Sequence, residues 1–131
     1  MAAELEDLKA MWSDLKAQVD ELASERQQYV EFFEQSSEAY VVTDNQGTIE
    51  AVNGAAVDIL QRRRRFLRGK PFAVLVALDQ RGAFRERLGA LAAEGSWRTI
   101  LEAWEMRTAV ALTARRIGAD RGIFWRVQAS P

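Results

Sequence analysis

The chemistry open to this chain is limited by two missing residue types, because the sequence holds no histidine and no cysteine. Their absence removes the commonest general base and metal ligand, any thiol nucleophile and any disulfide. The remaining candidate acid–base groups are carboxylates spread over predicted turns, helix ends and strands: Asp44, Glu50, Asp58, Asp79, Glu102 and Glu105. No two of them have a spacing that forces them into one pocket, and no P-loop, dinucleotide-binding glycine pattern or nucleophile elbow occurs. We therefore predict that the chain is not an enzyme.

A hairpin followed by a helix is the clearest prediction for the elements that would position any site. Val41 and Val42 are β-branched and favour a strand, and residues 44–47 supply turn formers with a glycine that can take positive φ. An extended run follows over residues 48–52, after which Asn53 can cap a new helix. The apolar residues of that helix recur at spacings of three and four: Ala55, Ala56, Ile59 and Leu60.

This order of signals resembles the opening of a PAS domain, the sensor module of many signalling proteins. The matching residues are Val41, Val42, Asp44, Gly47, Ile49, Asn53, Ala55 and Ala56. The segment FLRGKPF at residues 66–72 is similar to the family's leucine, Gly-Lys-Pro and apolar run. The resemblance covers residues 37–131 and implies an α+β fold. That fold has a five-stranded antiparallel sheet in the order 2-1-5-4-3, with helices on one face.

The second half of the chain changes from helical to extended patterns. Asp79 is predicted to cap a helix that runs to about residue 93 and ends before Gly95, with Phe84 and Leu91 on its apolar face. Runs enriched in β-branched and aromatic residues then predict three strands, at residues 97–106, 108–117 and 123–129. Trp125 and Phe124 would point to opposite faces of the sheet, so we expect the second face to be covered as well.

Residues 1–36 carry the most regular periodicity and are predicted to form a coiled-coil helix ahead of the PAS domain at residues 37–131. Steps of three and four give an apolar row that we call the seam: Leu5, Leu8, Trp12, Leu15, Val19, Leu22, Tyr29 and Phe33. No proline or glycine interrupts it, so a single helix of about 50 Å is expected. Burying the seam requires a partner, and a second copy of the same helix gives a parallel homodimer. The alternative is that the helix folds back on its own sheet.

The register of that coiled coil is weakly specified by the sequence. Trp12 is bulky for a position that faces its twin, and Arg26 interrupts the apolar row. Among the flanking charges, only Glu4 and Lys9 of the partner helix would attract each other. A weak register would allow the two helices to shift between packings.

A ligand in the PAS family lies between the sheet and the helices, which the resemblance carries to a set of apolar residues here. They are Ile59, Phe66, Phe72, Leu75, Phe84, Trp104 and Leu112. Each could equally be a core residue. A flavin photoadduct on cysteine and a histidine-ligated haem are excluded by composition. Noncovalent flavin, haem on another ligand or a small apolar metabolite stay open, so the cofactor is unknown.

Charge and hydropathy limit the partners of the chain. The formal net charge is −1, which gives no field that would draw the chain to nucleic acid or to an anionic membrane. The basic run at residues 62–65 is predicted to be a solvated helix face, with a patch for nucleic acid or an acidic partner as the alternative. Phe66 and Leu67 are predicted to pack inward. No apolar run approaches the roughly 18 residues of a membrane span, and the acidic start is unlike a signal peptide.

The sequence therefore predicts a cytoplasmic signal-transduction sensor or dimerisation module. In it, ligand or partner binding to the PAS domain would alter helix packing in the coiled coil, and the output would lie in an effector domain or a partner protein. The alternative is a ligand-free scaffold for protein–protein interaction.

Overall fold

The computed structural model describes residues 2–103, 106–118 and 120–130, in which a long helix precedes an α+β fold. The helices are α1 (Ala2–Gln35), α2 (Gly54–Leu60), α3 (Arg64–Leu67) and α4 (Arg81–Gly89), with 3₁₀ turns at Phe72–Leu75 and Leu78–Gln80. The strands are β1 (Ala39–Thr43), β2 (Ile49–Val52), β3 (Glu94–Ala103), β4 (Met106–Arg116) and β5 (Ile123–Ala129). Two compact units result, which we call the helical unit (Met1–Phe33) and the folded unit (Glu34–Pro131).

The helical unit contains one uninterrupted helix, as its sequence predicts. Glu4 lies in the first turn, where a carboxylate interacts favourably with the helix dipole. None of the described residues of α1 is buried. In the part of the chain that the structure describes, no helix is both long and apolar enough to span a bilayer.

The five strands form one antiparallel sheet in the order β2-β1-β5-β4-β3, which confirms the predicted fold class and strand order. The central strand β5 pairs with β1 on one side, where Val41 faces Trp125, and with β4 on the other, where Leu112 faces Val127. Residues therefore alternate between a buried inner face and an outer face. Trp125 and Val127 are buried on the inner face, whereas Phe124 lies on the outer face beside Tyr40, with ring centroids 4.9 Å apart.

The turn between β1 and β2 is built as the DNQG motif predicts. The Asp44 carboxylate accepts hydrogen bonds from the backbone N–H groups of Gln46 and Thr48, both at 2.9 Å. Gly47 adopts φ 88°, a left-handed conformation that a glycine tolerates without steric cost. The turn is therefore fixed by local hydrogen bonds rather than by burial.

The Gly-Lys-Pro segment continues the sheet edge beyond β2. Ile49 N–H donates to the carbonyl of Lys70 at 2.8 Å, and Gly69 N–H donates back to the Ile49 carbonyl at 2.8 Å. Phe72 N–H then donates to the Gly47 carbonyl at 2.8 Å. These bonds pair backbone groups of Gly47 and Ile49 at the outer edge of the hairpin. They also bring the end of α3 and the first 3₁₀ turn against the sheet.

Two predicted boundaries in the second half are wrong, and both have a structural reason. Asp79 lies in a 3₁₀ turn and forms an ion pair with Arg107 at 3.4 Å, so it does not cap α4. The helix stops at Gly89 instead of residue 93, because the Leu91 N–H bonds to the Leu88 carbonyl three residues back, at 3.2 Å, and the chain enters β3 at Glu94. Arg116 then holds the short connection between α4 and β3. Its Nε donates to the Leu91 carbonyl at 3.1 Å and its backbone N–H donates to Ala93 at 2.9 Å.

The boundaries of β3 and β4 also differ from the predicted ones. β3 begins at Glu94, three residues before the predicted start, so Gly95 is a strand residue and not a helix terminator. Met106 pairs with Ala103 and opens β4 instead of ending β3. The prediction for β5, residues 123–129, is confirmed at both ends.

Candidate functional site

The space between the sheet and the helices is occupied by four rings that we call the aromatic cluster: Phe72, Phe84, Trp97 and Trp125. The Trp125 ring stacks on Phe72 and on Phe84, with centroids 5.0 and 5.6 Å apart. Phe72 and Phe84 stack on each other at 5.4 Å, and Trp97 meets Trp125 edge-on at 5.6 Å. Phe72, Phe84 and Trp125 are at most 1% exposed. Packing this close leaves their shared interior filled by protein.

A buried polar contact orients the largest member of the cluster. The Trp125 indole Nε1 donates to the Thr43 hydroxyl oxygen at 2.9 Å, and that hydroxyl donates to the Asp44 carbonyl at 2.9 Å. Both Trp125 and Thr43 have 0% exposure. A hydrogen bond between two fully buried groups fixes the indole because the alternative is an unpaired buried donor. This hydrogen bond links the C-terminal residue of β1 to Trp125 in β5.

The residues proposed from the sequence to line a ligand cavity lie in three environments. Phe72, Phe84 and Leu112 are fully buried in the core, and Leu75 is 5% exposed. Ile59 is partly buried against the same core, whereas Phe66 is 56% exposed. The expectation that Phe66 packs inward is therefore wrong, although Leu67 beside it is 1% exposed. Trp104 lies outside the described residues.

A solvent-open groove lies on the helical side of the folded unit, and we call it the α2–α3 groove. Its volume is about 1030 Å³. The lining residues come from α2, α3, the first 3₁₀ turn and the loops between them: Val57, Asp58, Gln61, Arg62, Arg63, Phe66, Leu67, Lys70, Val74 and Leu75. Only Phe66 and Leu75 belong to the cavity predicted from sequence. None of the ten lies on a strand, so this groove differs from the space between sheet and helices.

The α2–α3 groove combines an apolar floor with a cationic rim. Leu67 and Leu75 are buried at its base, and Phe66 and Val74 expose 56% and 42% of their surface. The sequence signal for this site is the basic run followed by Phe66-Leu67, of which only the basic run is predicted to be a solvated face. Lys70 and Val74 had no such signal, because they reach the groove only through the fold of the Gly-Lys-Pro segment.

Asn53 links the start of α2 to β1 and to the residue just before that strand's first residue. Its Oδ1 accepts from Ala56 N–H at 3.0 Å, as predicted for a helix cap, and also from Tyr40 N–H at 2.9 Å. Its Nδ2 donates to the Glu38 carbonyl at 2.8 Å. The Tyr40 hydroxyl donates to the Glu38 carboxylate. That hydrogen bond, with partial burial, raises the pKa of Tyr40 above its ordinary value of 10.0.

The seam residues in α1 share one environment within a single chain. Seven of them expose more than half of their surface: Leu5, Leu8, Trp12, Leu15, Val19, Leu22 and Tyr29. Phe33 is half-buried. An apolar row of this length in water is unfavourable, which marks it as a candidate interaction surface.

Among the described residues, no group of three or more carboxylates forms a cluster that could hold a metal ion. The predicted carboxylate candidates are spread over the folded unit, except that Asp79 and Glu102 meet at one arginine. Asp44 fixes a turn, Asp79 and Glu102 pair with Arg107, and Asp58 lines the α2–α3 groove. Glu50 is exposed at the edge strand β2, and Glu105 lies outside the described residues.

Comparisons with known proteins agree with this architecture. A protein-family model described as the PAS fold matches residues 33–131. The PAS domain of an HTR-like protein from Haloarcula marismortui is 15% identical, with a TM-score of 0.76 over 88% of this chain and 99% of that one. The PAS domain of a LuxR-family transcriptional regulator from Burkholderia thailandensis, in complex with ethanol, is 20% identical, with a TM-score of 0.67 over 77% and 96%.

A third solved structure is the PAS domain of the RpfR quorum-sensing receptor from Cronobacter turicensis in complex with BDSF. It is 9% identical, with a TM-score of 0.65 over 74% of this chain and 97% of that one. No curated protein matches the sequence at a significant level. At these identities the structural likeness concerns the fold.

Proposed function

Because the chain belongs to the PAS fold family, we propose that it is a cytoplasmic signal-transduction module without catalytic activity of its own. Proteins of this family are sensory and signalling modules. In the proposed mechanism two copies pair through α1 as a parallel coiled coil, and ligand or partner binding to the folded unit changes how the paired helices pack. An effector domain or partner protein would read that change.

The observation that carries this proposal is the exposed seam of α1. Fully burying one leucine or valine side chain contributes about 1.5–3 kcal/mol, so a seam of eight apolar residues offers a large driving force for association. A second copy presents the same row at the same spacing, which is the simplest complement for it. Arg26 and Trp12 within the row disfavour any single register, and two packings of similar free energy are what a switch needs.

The ligand side of the proposal draws on two solved PAS domains. The PAS domains of the LuxR-family regulator and of RpfR were solved with ethanol and BDSF, respectively. The aromatic cluster here instead favours the second candidate, a ligand-free scaffold that pairs proteins, because its interior is closely packed. Native mass spectrometry and absorbance of freshly purified protein separate the two. A reproducible bound molecule supports the sensor, and an empty chain supports the scaffold.

Association through the seam is tested by sedimentation equilibrium with a pair of lysine substitutions. The wild-type chain should sediment as a dimer, at twice 14.8 kDa, at micromolar concentration. Leu15→Lys places a charge in the seam and should weaken association at least about a hundredfold, since losing a buried leucine contact costs about 3 kcal/mol.

The matched control is Ala17→Lys, which adds the same charge two residues away on the opposite face of the helix. It should leave the dissociation constant within about twofold, because exposed substitutions change free energies by about 0.5 kcal/mol at most. A wild-type monomer throughout the micromolar range, or equal effects of both lysines, would contradict the coiled-coil proposal.

A further inference from the structure

We infer that the α2–α3 groove binds a free amphipathic anion, a small molecule with an apolar body and one carboxylate or comparable anionic group. This inference deepens the proposed function, since it names the class of ligand that the module would sense. It assigns a site on the helical side of the fold, away from the filled interior.

The charges around the groove select for an anion. Arg62, Arg63 and Lys70 contribute three cations and Asp58 one carboxylate, so the lining carries a surplus of two positive charges. This surplus is local, because the whole chain has a net charge of −1. Neither Arg63 nor Lys70 forms an ion pair within residues 2–103, 106–118 and 120–130. Their donors are therefore open to a ligand, and cation–carboxylate hydrogen bonds are among the strongest that proteins make.

Three other arginines of the folded unit already have a carboxylate or a ring as a partner. Arg64 is paired with Glu34 at 2.5 Å, and Arg107 is paired with Glu102 and Asp79 on another part of the surface. Arg65 lies over the Phe66 ring with its guanidinium carbon 5.2 Å from the centroid, which helps to hold that ring in place. Carboxylates thus engage Arg64 and Arg107, and a ring engages Arg65. By contrast, Arg63 and Lys70 line the groove without an ion pair in the described part of the chain.

The apolar surface of the groove selects for a hydrophobic body. In the described part of the folded unit, the exposed large hydrophobic residues are Phe66, Val74, Leu78 and Met106, and the first two line this groove. Exposed apolar side chains gathered in a concave surface typically mark a binding site. The floor beneath them is formed by Leu67 and Leu75, which are buried in the core.

The size of the groove favours a small molecule over a protein. Its volume of about 1030 Å³ lies at the upper end of the usual ligand-pocket range of about 300–1,000 Å³. Ten described residues line it, whereas a stable protein–protein interface involves about 20–30 residues on each side. Anionic membranes are recognised by clusters of about 4–8 basic residues, whereas three cations and one carboxylate line this concavity.

The test titrates sodium decanoate, below its micelle concentration, into the full chain and follows binding by isothermal titration calorimetry. Decanoate should bind saturably, and decyltrimethylammonium, which has the same tail and the opposite charge, should bind at least about tenfold more weakly. The double variant Arg63→Gln/Lys70→Gln should weaken decanoate about tenfold. Phe66→Ser should weaken both amphiphiles, since it removes exposed apolar surface without opening the core.

The matched control is Arg85→Gln/Arg98→Gln, which removes two exposed arginines outside the groove and makes the same change in net charge. It should leave decanoate binding unchanged. Absent decanoate binding, equal effects of the two double variants, or equal affinity for both amphiphiles would overturn the inference. Co-sedimentation with phosphatidylglycerol vesicles in the absence of decanoate binding would assign the cations to a membrane surface and would also overturn it. None of these readouts measures the association state of the chain, so failure here is distinguishable from failure of the dimer proposal.

Discussion

The helical unit and the folded unit treat their apolar residues in opposite ways. In the helical unit a leucine such as Leu8 exposes 62% of its surface, and no described residue of α1 is buried. In the folded unit, residues such as Val110 and Leu112 are completely buried. They belong to a single core that contains apolar residues of both the strands and the helices. Hydrophobic residues thus stabilise the folded unit through burial within one chain, whereas the described residues of α1 gain no such burial there.

This difference predicts that the same substitution has different consequences in the two units. A change in the folded unit should alter the free energy of unfolding of one chain. A change in the seam should alter the dissociation constant and leave monomer stability nearly constant. The chain offers matched residues for such tests, because it holds tryptophans and tyrosines in both units.

The largest effect is expected from Trp125→Ala in the folded unit. The substitution removes a fully buried ring that stacks on Phe72 and Phe84, and it also removes the hydrogen bond to Thr43. The free energy of unfolding should fall by about 3–5 kcal/mol, the usual cost of truncating a buried aromatic residue. Urea denaturation, at a concentration where sedimentation shows only monomer, measures the change.

Trp12→Ala is the counterpart in the helical unit, where the ring is 65% exposed. Monomer stability should change by less than about 0.5 kcal/mol, because the residue loses few contacts and alanine has the higher helix propensity. Trp125→Phe guards against complete unfolding, since it keeps an aromatic stack and should cost about 1–2 kcal/mol. Equal losses for Trp12→Ala and Trp125→Ala would contradict the contrast between the units.

A smaller effect is expected from Asn53→Ala, at the N-terminus of α2. The side chain caps α2 and also bonds Tyr40 N–H and the Glu38 carbonyl. Its loss should lower the free energy of unfolding by about 2 kcal/mol, which combines a lost helix cap with a buried donor left unpaired. Asn45→Ala, which removes one hydrogen bond from Arg116, should cost about 1 kcal/mol or less. If the loss at Asn53 is no larger than the loss at Asn45, the hydrogen bonds of Asn53 to Ala56, Tyr40 and Glu38 do not stabilise the folded unit as proposed.

The sequence predicted most of the fold because its signals there are local. Asn53 and the DNQG turn are recognised from residue type alone, and β5 is bounded by glycine at one end and by the end of its β-branched and aromatic run at the other. The end of α4 could not be predicted in the same way. Leu91 keeps the helical spacing of apolar residues, but its N–H bonds to the Leu88 carbonyl three residues back, and Arg116 of β4 binds the Leu91 and Ala93 carbonyls that lead into β3.

The candidate site was less predictable than the fold because it depends on contacts between distant segments. The family resemblance places Phe72 and Phe84 between the sheet and the helices, yet it does not show whether a void remains there. Strand alternation puts Trp125 and Phe124 on opposite faces without showing which face is the inner one. The α2–α3 groove brings Val57, Arg63 and Lys70 together from three segments. No local pattern links those residues, and the basic run alone is typical of an ordinary solvated helix.

The smallest effect concerns the two tyrosines of the chain, one in each unit. The hydrogen bond to Glu38 raises the pKa of Tyr40 in the folded state, so the folded chain holds this proton more tightly than the unfolded chain. Its stabilising contribution is complete below the unfolded pKa near 10 and is lost as the pH rises through the higher folded value. Between about pH 9 and pH 11, wild-type stability should therefore fall more steeply than that of Tyr40→Phe in urea denaturation. Tyr29→Phe, on the exposed helix, should retain the wild-type slope, and identical slopes in all three proteins would show that the Tyr40–Glu38 bond does not persist in solution.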